Sequence, residues 1–380
     1  MSGLAGEGVA SSFNQSSGVN RSDGGGSAPC GRVDTSAHLF FMLVCSLVFL
    51  VGLVLNGFTL KVYFCRAPQQ ASSSVTVYLK NLAAADFLLS LCLPLRIANY
   101  ASSSVPVRRV YCHFGASAFY LNMYASILFM GYIAANRYLK IVHPLGTHIL
   151  QRVRAAYIIS TVTWVSLLAS TGVYVTLSLL TQRPLTSVPD AVSCEALHSA
   201  ELSLFYKIIH SCSATVFFSV LVSLVFFYSS TSRRLTLVQR KQPGRASSSG
   251  SKKLAKSRRN MLVLVTVFCV CFVPYHLVRL PYAFLRGRCA WRQAFFYLKE
   301  LTVMVSALNV CLDPLIYFIF CKAFRAQLSL RRVFSATQGA TQGATQAPGE
   351  ERRTSDGRLS VAKIERKASF GIAARRTSVL

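Results

Sequence analysis

Seven apolar stretches, each about 20 or more residues long, limit what this chain can fold into. They lie at roughly 38–65, 74–100, 109–141, 155–181, 203–230, 259–285 and 294–320. Hydrophobic residues fill 52% of the 380 positions and charged residues only 14%, whereas soluble proteins carry about 25% charged residues. A helix of such length crosses a bilayer with its backbone hydrogen bonds satisfied internally. The sequence therefore predicts an all-α membrane protein, a seven-transmembrane helix bundle.

The formal charge of +28 is unevenly placed and predicts an orientation. Lysine and arginine concentrate after the third helix, between the fifth and sixth helices, and after residue 320. Such segments stay on the cytoplasmic side, which places the N-terminus outside. We expect a disordered extracellular segment (1–37), a transmembrane domain (38–320), a short amphipathic eighth helix (321–332) and a disordered cytoplasmic tail (333–380). The basic segments would contact membrane lipids, and their short juxtamembrane placement argues against nucleic-acid binding.

The outer segments carry signals for covalent modification. Asn14 and Asn20 each begin an Asn-x-Ser glycosylation sequon, which fits an N-terminus outside the cell. Of the twelve cysteines, four map to the outer face, and an even number in an oxidising compartment predicts two disulfides. The sequence alone leaves three pairings open. These four are Cys30, Cys112, Cys194 and Cys289.

The seventh apolar stretch contains polar residues where a membrane helix should have none. Asn309, Asp313 and Pro314 lie in its inner half, and the second stretch carries Asp86 at mid-membrane depth. Polar groups in hydrocarbon are costly unless they face a protein interior, so these residues indicate a function. Pro314 removes a backbone hydrogen bond and gives the helix a point where it can bend. The pattern predicts a conformational switch.

The motif Asn-x-x-x-Asp-Pro-x-x-Tyr, which ends at Tyr317, resembles the seventh helix of rhodopsin-like G-protein-coupled receptors. Other helices offer residues typical of that family in the same order. The resemblance implies a receptor and no enzyme; a small-solute transporter, the distant alternative, would show inverted repeats and paired broken helices. The residues are Asn56, Asp86, Asn136-Arg137-Tyr138, Trp164 and Phe272-Val273-Pro274-Tyr275.

The resemblance also implies two disulfides and an ion site. Cys112 would bond to Cys194, and Cys30 to Cys289. A sodium ion would be held by oxygens around Asp86, and a water-bridged hydrogen-bond network without an ion is the alternative. We expect no other metal or cofactor. The implied sodium residues are Asp86, Asn122, Ser126 and Asn309.

Arg137 would close the cytoplasmic cleft at rest and meet a G protein once the sixth helix swings out, with Pro274 and Pro314 as the points of deformation. The family usually places an aspartate before this arginine, whereas this chain has Asn136. Because one restraint on Arg137 is missing, we predict raised basal signalling. The implied switch residues are Asp86, Asn136, Arg137, Tyr138, Pro274, Asn309, Asp313, Pro314 and Tyr317.

The outer third of the bundle carries positive charge that predicts an anionic ligand. His276 and Arg279 share one face of the sixth helix, and Lys299 lies on the seventh. An arginine fork and a lysine point charge suit phosphate or carboxylate, and neighbouring tyrosines can stack an aromatic base. For Arg96 and Arg109 we favour the alternative that they snorkel to lipid headgroups.

His-x-x-Arg-x-Pro-Tyr in the sixth helix and Tyr-x-Lys-Glu in the seventh resemble purinergic receptors that respond to ADP and UDP-sugars. Phe-Tyr-Leu-Asn-Met-Tyr (119–124) resembles their lysophosphatidylserine-receptor relative. The resemblance implies a nucleotide receptor that signals through inhibitory G proteins, with a lysophospholipid receptor as the alternative. His198 and His210 replace residues usual in relatives and leave nucleotide identity open. The implied ligand residues are Arg108, Tyr120, Tyr124, His198, His210, His276, Arg279, Tyr282 and Lys299.

The tail predicts two further partners. Three basic-then-hydroxyl clusters after residue 351 are typical of kinase sites, and phosphate added there could recruit arrestin. The C-terminal Ser378-Val379-Leu380 fits the peptide pattern that PDZ domains add as a strand to a sheet edge.

Overall fold

The computed structural model describes residues 36–65, 73–102, 104–142, 148–181, 194, 198–241, 249–285 and 292–320. Within these ranges, seven helices are long and apolar enough to cross a membrane, which confirms the predicted seven-helix bundle. The first six are α1 (His38–Cys65), α2 (Ser74–Ala101), α3 (Val105–Val142), α4 (Val153–Thr181), α5 (Ala200–Lys241) and α6 (Ser249–Leu285). The seventh, α7, consists of Arg292–Ala307 and Asn309–Phe320.

Several predictions fall on the rest of the chain. The compact unit that contains the bundle ends at Phe320, and the following unit, Cys321–Leu380, lies outside the described residues. So do the proposed Cys30–Cys289 bond, the sequons at Asn14 and Asn20, the eighth helix (321–332) and the PDZ-type terminus.

Two helices are longer than their apolar stretches. The sequence predicted spans at 203–230 and 259–285, whereas α5 continues to Lys241 and α6 begins at Ser249. The added turns are rich in arginine, lysine and leucine, which favour helix without being apolar throughout. Hydropathy detects the membrane-crossing part of a helix and misses such polar continuations.

Two irregularities interrupt the helices. Tyr111–Gly115 forms a π-helical turn inside α3, between the α-helical parts Val105–Val110 and Ala116–Val142. In α7 the two parts meet at Leu308, whose amide donates to the Val305 carbonyl at 3.2 Å, a tighter i→i−3 bond. Pro314 lies within the second part of α7, which continues through it as a helix. The interruption of α7 therefore precedes the proline rather than coinciding with it.

Close contact between α1 and α7 depends on Gly52. A Cβ built at this position would lie 2.6 Å from Val310 Cγ2 and 2.7 Å from Ser90 Oγ. No real side chain approaches that closely, so only glycine lets these helices pack at this depth. The contact sets Val310 beside Asn56, one turn further along α1.

The bundle centre is formed mainly by α3 and α7, and α4 lies at the periphery. In the most apolar 18-residue windows, 56% of α3 and α7 positions are buried, against 11% for α4. The centre contains polar groups as well as apolar ones: Asp86, Ser126, Asn309 and Asp313 are all fully buried.

Candidate functional site

The predicted disulfide fixes one end of the bundle. Cys112, in the π-helical turn of α3, is bonded to Cys194, with the two Cα atoms 5.3 Å apart. This confirms the pairing implied by the family resemblance. We call this the disulfide end, and the end where α3 carries Arg137 the Arg137 end.

A small cavity of about 60 Å³ opens at the disulfide end. Six of the nine predicted ligand residues line it; Tyr124, His276 and Tyr282 are not part of its lining. The lining also includes Arg96, Tyr100, Tyr111, Tyr206 and Glu300, which the motif comparison did not select. The six predicted residues in the wall are Arg108, Tyr120, His198, His210, Arg279 and Lys299.

Arg279 is enclosed by aromatic rings. Its guanidinium carbon lies 5.2 Å from the ring centres of both Tyr120 and Tyr206 and 5.6 Å from that of Tyr282. Its Nε–H donates to His210 Nε2 at 3.1 Å. His210 Nε2 is then the acceptor, so the His210 proton is on Nδ1, which donates to the Tyr206 carbonyl at 2.9 Å. The surroundings hold a nearly buried cation in one orientation, which suits it to anchor an anion.

A second group of cations, Arg96 and Lys299, also lines the cavity. Glu300 pairs with Lys299, Nζ to Oε1 3.0 Å, and with Arg96, and it accepts a hydrogen bond from Tyr100. All four side chains converge although α2 and α7 are distant in sequence. Lys299 Nζ also lies 5.2 Å from the ring centre of Tyr282.

The prediction that Arg96 snorkels to lipid headgroups is wrong. Arg96 is only 4% exposed, it lines the cavity, and its charge is compensated by Glu300. No sequence pattern indicated that a carboxylate 204 positions away would face it. Arg109, for which we expected the same, is exposed and is not part of the cavity lining.

His276 lies within the helix packing. Its ring is stacked on Phe217 of α5, with centres 3.7 Å apart and planes 2° from parallel. Nδ1 donates to the Phe272 carbonyl at 2.8 Å, so Nε2 accepts the hydrogen bond from Tyr124 OH at 3.2 Å. His276 therefore couples α3, α5 and α6, and it is not part of the cavity lining.

A larger, apolar cavity of about 300 Å³ lies between α3, α4 and α5. Leu121, Leu128, Leu167, Ile209 and Val216 contribute apolar surface to it. It shares four lining residues with the cationic cavity, so one ligand with a polar and an apolar part would contact both. The shared residues are Ser117, Tyr120, Tyr174 and His210.

At mid-depth, polar side chains converge on Asp86. Ser126 Oγ donates to Asp86 Oδ1 at 2.9 Å, and Asn309 Nδ2 reaches the same oxygen at 3.2 Å. Tyr317 OH donates to Asp86 Oδ2 at 2.6 Å. The fourth predicted sodium residue, Asn122, instead donates to the Ala118 carbonyl at 2.8 Å.

Within the described ranges, several buried oxygen atoms near Asp86 have no hydrogen-bond partner and could bind the predicted sodium ion. Among the described residues, Asn122 Oδ1, Asn309 Oδ1 and both Asp313 carboxylate oxygens are buried without a hydrogen-bond partner. Carbonyl and carboxylate oxygens are the ligands that hard cations prefer, and buried acceptors of this kind need a cation or water. The donor set around Asp86 thus fits sodium.

Pro314 changes the hydrogen bonding of the whole α1–α7 contact. Because proline has no N–H, the carbonyl of Val310, four residues earlier, is released from the helix ladder. Asn56 Nδ2 donates to this carbonyl at 2.7 Å and to the Gly52 carbonyl at 3.0 Å. The side chain of α1 therefore replaces the bond that Pro314 removes.

The Arg137 end is held by uncharged groups. Asn136 Nδ2 donates to Ser74 Oγ at 2.8 Å and to the Leu150 carbonyl at 2.6 Å. The guanidinium carbon of Arg137 lies 4.7 Å from the ring centre of Phe320, the last described residue of α7. Tyr138 stacks on Phe227 of α5, with ring centres 4.8 Å apart.

Comparison with known proteins agrees with this architecture. Residues 55–317 match the family described as 7 transmembrane receptor (rhodopsin family). The chain is 36% identical to the bovine (Bos taurus) purinoceptor 14 over 288 residues, which cover 74% of this chain and 82% of that receptor. It is 31% identical to the human (Homo sapiens) purinoceptor 13 over 320 residues, covering 82% and 85%.

A third relative is the probable G-protein coupled receptor 34 of mouse (Mus musculus), 27% identical over 320 residues that cover 80% of each chain. The match to the family spans most of the bundle, including Asp86, Arg137, Asp313 and Tyr317. The chain is thus a multi-pass receptor of the plasma membrane and is not an enzyme. It belongs to the rhodopsin family of seven-transmembrane receptors.

Proposed function

We propose that the chain binds a phosphate-bearing anionic ligand at the disulfide end, namely an extracellular nucleotide of the ADP or UDP-sugar type. The observation that carries this proposal is Arg279, whose guanidinium is oriented by three tyrosine rings and His210. Lys299 and Arg108 complete a wall of cations, and Tyr120 offers a ring on which a base can stack. The names of two relatives, both purinoceptors, support a nucleotide.

The proposal is tested by direct binding of ADP and UDP-glucose to the purified receptor. Replacing Arg279 by alanine should weaken binding about 10- to 100-fold, because a hydrogen bond to a charged group contributes roughly 1.5–3 kcal/mol. Arg109→Ala is the matched control, since Arg109 is exposed and does not line the cavity. Equal affinity in the wild type and the Arg279 variant would contradict the proposed anchor.

A second ligand class is favoured by the apolar cavity between α3, α4 and α5. A lysophospholipid, lysophosphatidylserine for example, would place its headgroup against Arg279 and its acyl chain along Leu167 and Val216. The volume of about 300 Å³ is at the lower end of the range for ligand pockets.

Filling this cavity separates the two ligand classes. Val216→Trp should weaken binding of the lipid and leave nucleotide binding unchanged. The control is Val222→Trp, because Val222 is 67% exposed on the same helix and does not line the cavity. Lipid binding that survives Val216→Trp would remove the support for this alternative.

The proposal also covers the orientation of the receptor in the membrane and its intracellular partners. The N-terminus would be extracellular and the basic Arg137 end cytoplasmic, where the receptor meets inhibitory G proteins and anionic lipid. Arrestin would recognise the phosphorylated tail, and a PDZ domain the terminal Ser378-Val379-Leu380. Removal of Leu380 should abolish capture by a PDZ domain; equal capture of the shortened chain would end that part.

We also propose that sodium binds at mid-depth. Asp86 would supply the negative charge, Ser126 and Asn309 would hold its carboxylate in place, and Asn122 would add a carbonyl oxygen. A bound sodium ion would compensate part of the buried charge of Asp86 and Asp313. Sodium chloride should raise the melting temperature of the ligand-free receptor relative to choline chloride, and Asp86→Asn should abolish the difference. The same response to both salts in the wild type would contradict an ion site.

A further inference from the structure

Arg137 lies at an end of the bundle where the described residues provide no carboxylate. The part of the chain that the structure describes contains four acidic residues. Asp86 and Asp313 lie at mid-depth, Glu300 lines the cavity at the disulfide end, and Glu201 is in the first turn of α5. Within the described ranges, therefore, no acidic residue is placed to restrain Arg137 by an ion pair.

Asn136, which occupies the position where the family usually has an aspartate, bonds to neighbouring segments instead of pairing with Arg137. Both hydrogens of its amide are engaged, one by Ser74 of α2 and the other by the Leu150 carbonyl. Leu150 belongs to the short 3₁₀ turn Ile149–Gln151 that precedes α4. Asn136 is fully buried, and its bond to Ser74 is buried as well, whereas its bond to the Leu150 carbonyl is half-buried. It therefore fastens α3 to α2 and to this turn, and its donors do not act on Arg137.

The contact that Arg137 does make is with an aromatic ring. Its guanidinium carbon is 4.7 Å from the ring centre of Phe320, well inside the roughly 6 Å range of a cation–π interaction. Arg137 Nε has no hydrogen-bond partner among the described residues, so the contact with Phe320 is not accompanied there by a hydrogen bond from this nitrogen.

The position of Phe320 depends on the conformation of α7. It terminates the part of α7 that begins after the interruption at Leu308 and contains Pro314. Both features remove backbone hydrogen bonds from α7 itself upstream of Phe320, so this segment is the part of α7 that can bend, although Asn56 and Tyr317 tie it to α1 and α2. Any displacement of either Arg137 or this segment by a few ångströms separates the cation from the ring.

We propose that the Arg137–Phe320 contact is the restraint that holds the Arg137 end in its resting state, in place of an ion pair. Phe320 then sets the level of ligand-independent signalling. Removing one partner of a buried ion pair is more costly than losing a single cation–π contact, so the raised basal signalling that we predict would have its cause at Phe320 as well as at Asn136. The inference concerns a residue outside the ligand pocket and holds whichever anion the pocket binds.

The test replaces Phe320 in the full chain with phenylalanines that carry one, two or three ring fluorines. Fluorination withdraws charge from the ring face and weakens a cation–π contact while the packing volume changes little. Ligand-independent nucleotide exchange, measured on a panel of G proteins, should rise with each fluorine. Full loss of the contact in Phe320→Leu should raise the active-to-resting ratio by about two- to thirty-fold. The same series at Phe318, which is 43% exposed and two residues away, is the matched control.

A second readout does not depend on G-protein coupling. Backbone amide hydrogens of residues 309–320 in the ligand-free receptor should exchange with solvent faster in Phe320→Leu than in the wild type. In Phe320→Trp, which keeps an aromatic ring at this position, they should exchange as slowly as in the wild type. The proposal is overturned if fluorination at position 320 changes neither the ligand-independent nucleotide exchange on G proteins nor the amide hydrogen exchange of α7. If only hydrogen exchange responds, the contact restrains α7 but Phe320 does not set ligand-independent signalling, and the proposal is overturned in that part.

Discussion

The two ends of the bundle hold their arginines by opposite means: Arg96 is buried, whereas Arg137 is half-buried. At the disulfide end, Arg96 is compensated by Glu300, which also pairs with Lys299. At the other end, Arg137 lies against an aromatic ring, and the neighbouring Asn136 is engaged by uncharged groups. A buried ion pair resists loss of one partner strongly, whereas a cation–π contact contributes about 0.5–2 kcal/mol. The ligand end is therefore held firmly in one arrangement, and the Arg137 end is held weakly enough to separate.

The largest effect expected from this comparison is at Glu300. Replacing it by alanine leaves Arg96 and Lys299 without their carboxylate in a nearly buried setting, which should lower the free energy of unfolding by about 3–5 kcal/mol. Thermal unfolding of the purified receptor measures this loss. Glu201→Ala is the control, because Glu201 is exposed at the start of α5.

A double-mutant cycle sharpens the result. If Arg96 and Glu300 are coupled as the contact indicates, Arg96→Ala combined with Glu300→Ala should destabilise less than the sum of the single changes. Additive losses would show that the two residues do not compensate each other. The claim that an ion pair holds the disulfide end more firmly than the Arg137 end would then be wrong.

A smaller effect is expected at the other end. Asn136→Ala removes two hydrogen bonds and leaves the half-buried Leu150 carbonyl without this donor, so the free energy of unfolding should fall by about 1–3 kcal/mol. Thermal unfolding again measures the change. A loss as large as that of Glu300→Ala would contradict the view that this end is held more weakly.

The smallest effect concerns basal signalling. Asn136→Asp places a carboxylate beside Arg137, and we expect ligand-independent G-protein activation to fall a few-fold, since a restraint is added. Asn136→Ala is the control, because it also loses the hydrogen bond to the Leu150 carbonyl but adds no charge. Unchanged basal activity in Asn136→Asp would defeat the idea that the missing charge matters.

Much of the bundle could be predicted because membrane folds follow simple rules. Apolar length alone located all seven helices, and mid-membrane polarity identified Asp86 and Asn309, which meet in one network. Tyr317, which joins the same network, was identified only through the motif that resembles the receptor family. The extra turns of α5 and α6 were missed because they are polar. The disulfide between Cys112 and Cys194 required the family resemblance, since the residue types allowed three pairings.

Only part of the candidate pocket could be predicted from the sequence. Spacing on α6 identified Arg279, because its neighbours in the motif are local. Arg96 was misassigned, since its partner Glu300 lies on a helix far along the chain. His276 shares a helical face with Arg279 in projection, but stacking on Phe217 keeps it within the packing. Contacts between helices, unlike those within one helix, have no periodic trace in a single sequence.

The most direct test of the account is whether activation requires the phosphate and Arg279 together. Inhibitory G-protein activation would be measured with ADP, UDP-glucose and lysophosphatidylserine, each beside its phosphate-free counterpart, in the wild type, Arg279→Ala and Arg109→Ala. We predict that at least one phosphate-bearing ligand activates the wild type and Arg109→Ala, that its counterpart is inert, and that Arg279→Ala needs about 10- to 100-fold more ligand. A response to the phosphate-free compound, or an unchanged response in Arg279→Ala, would contradict an anion-binding pocket anchored at Arg279.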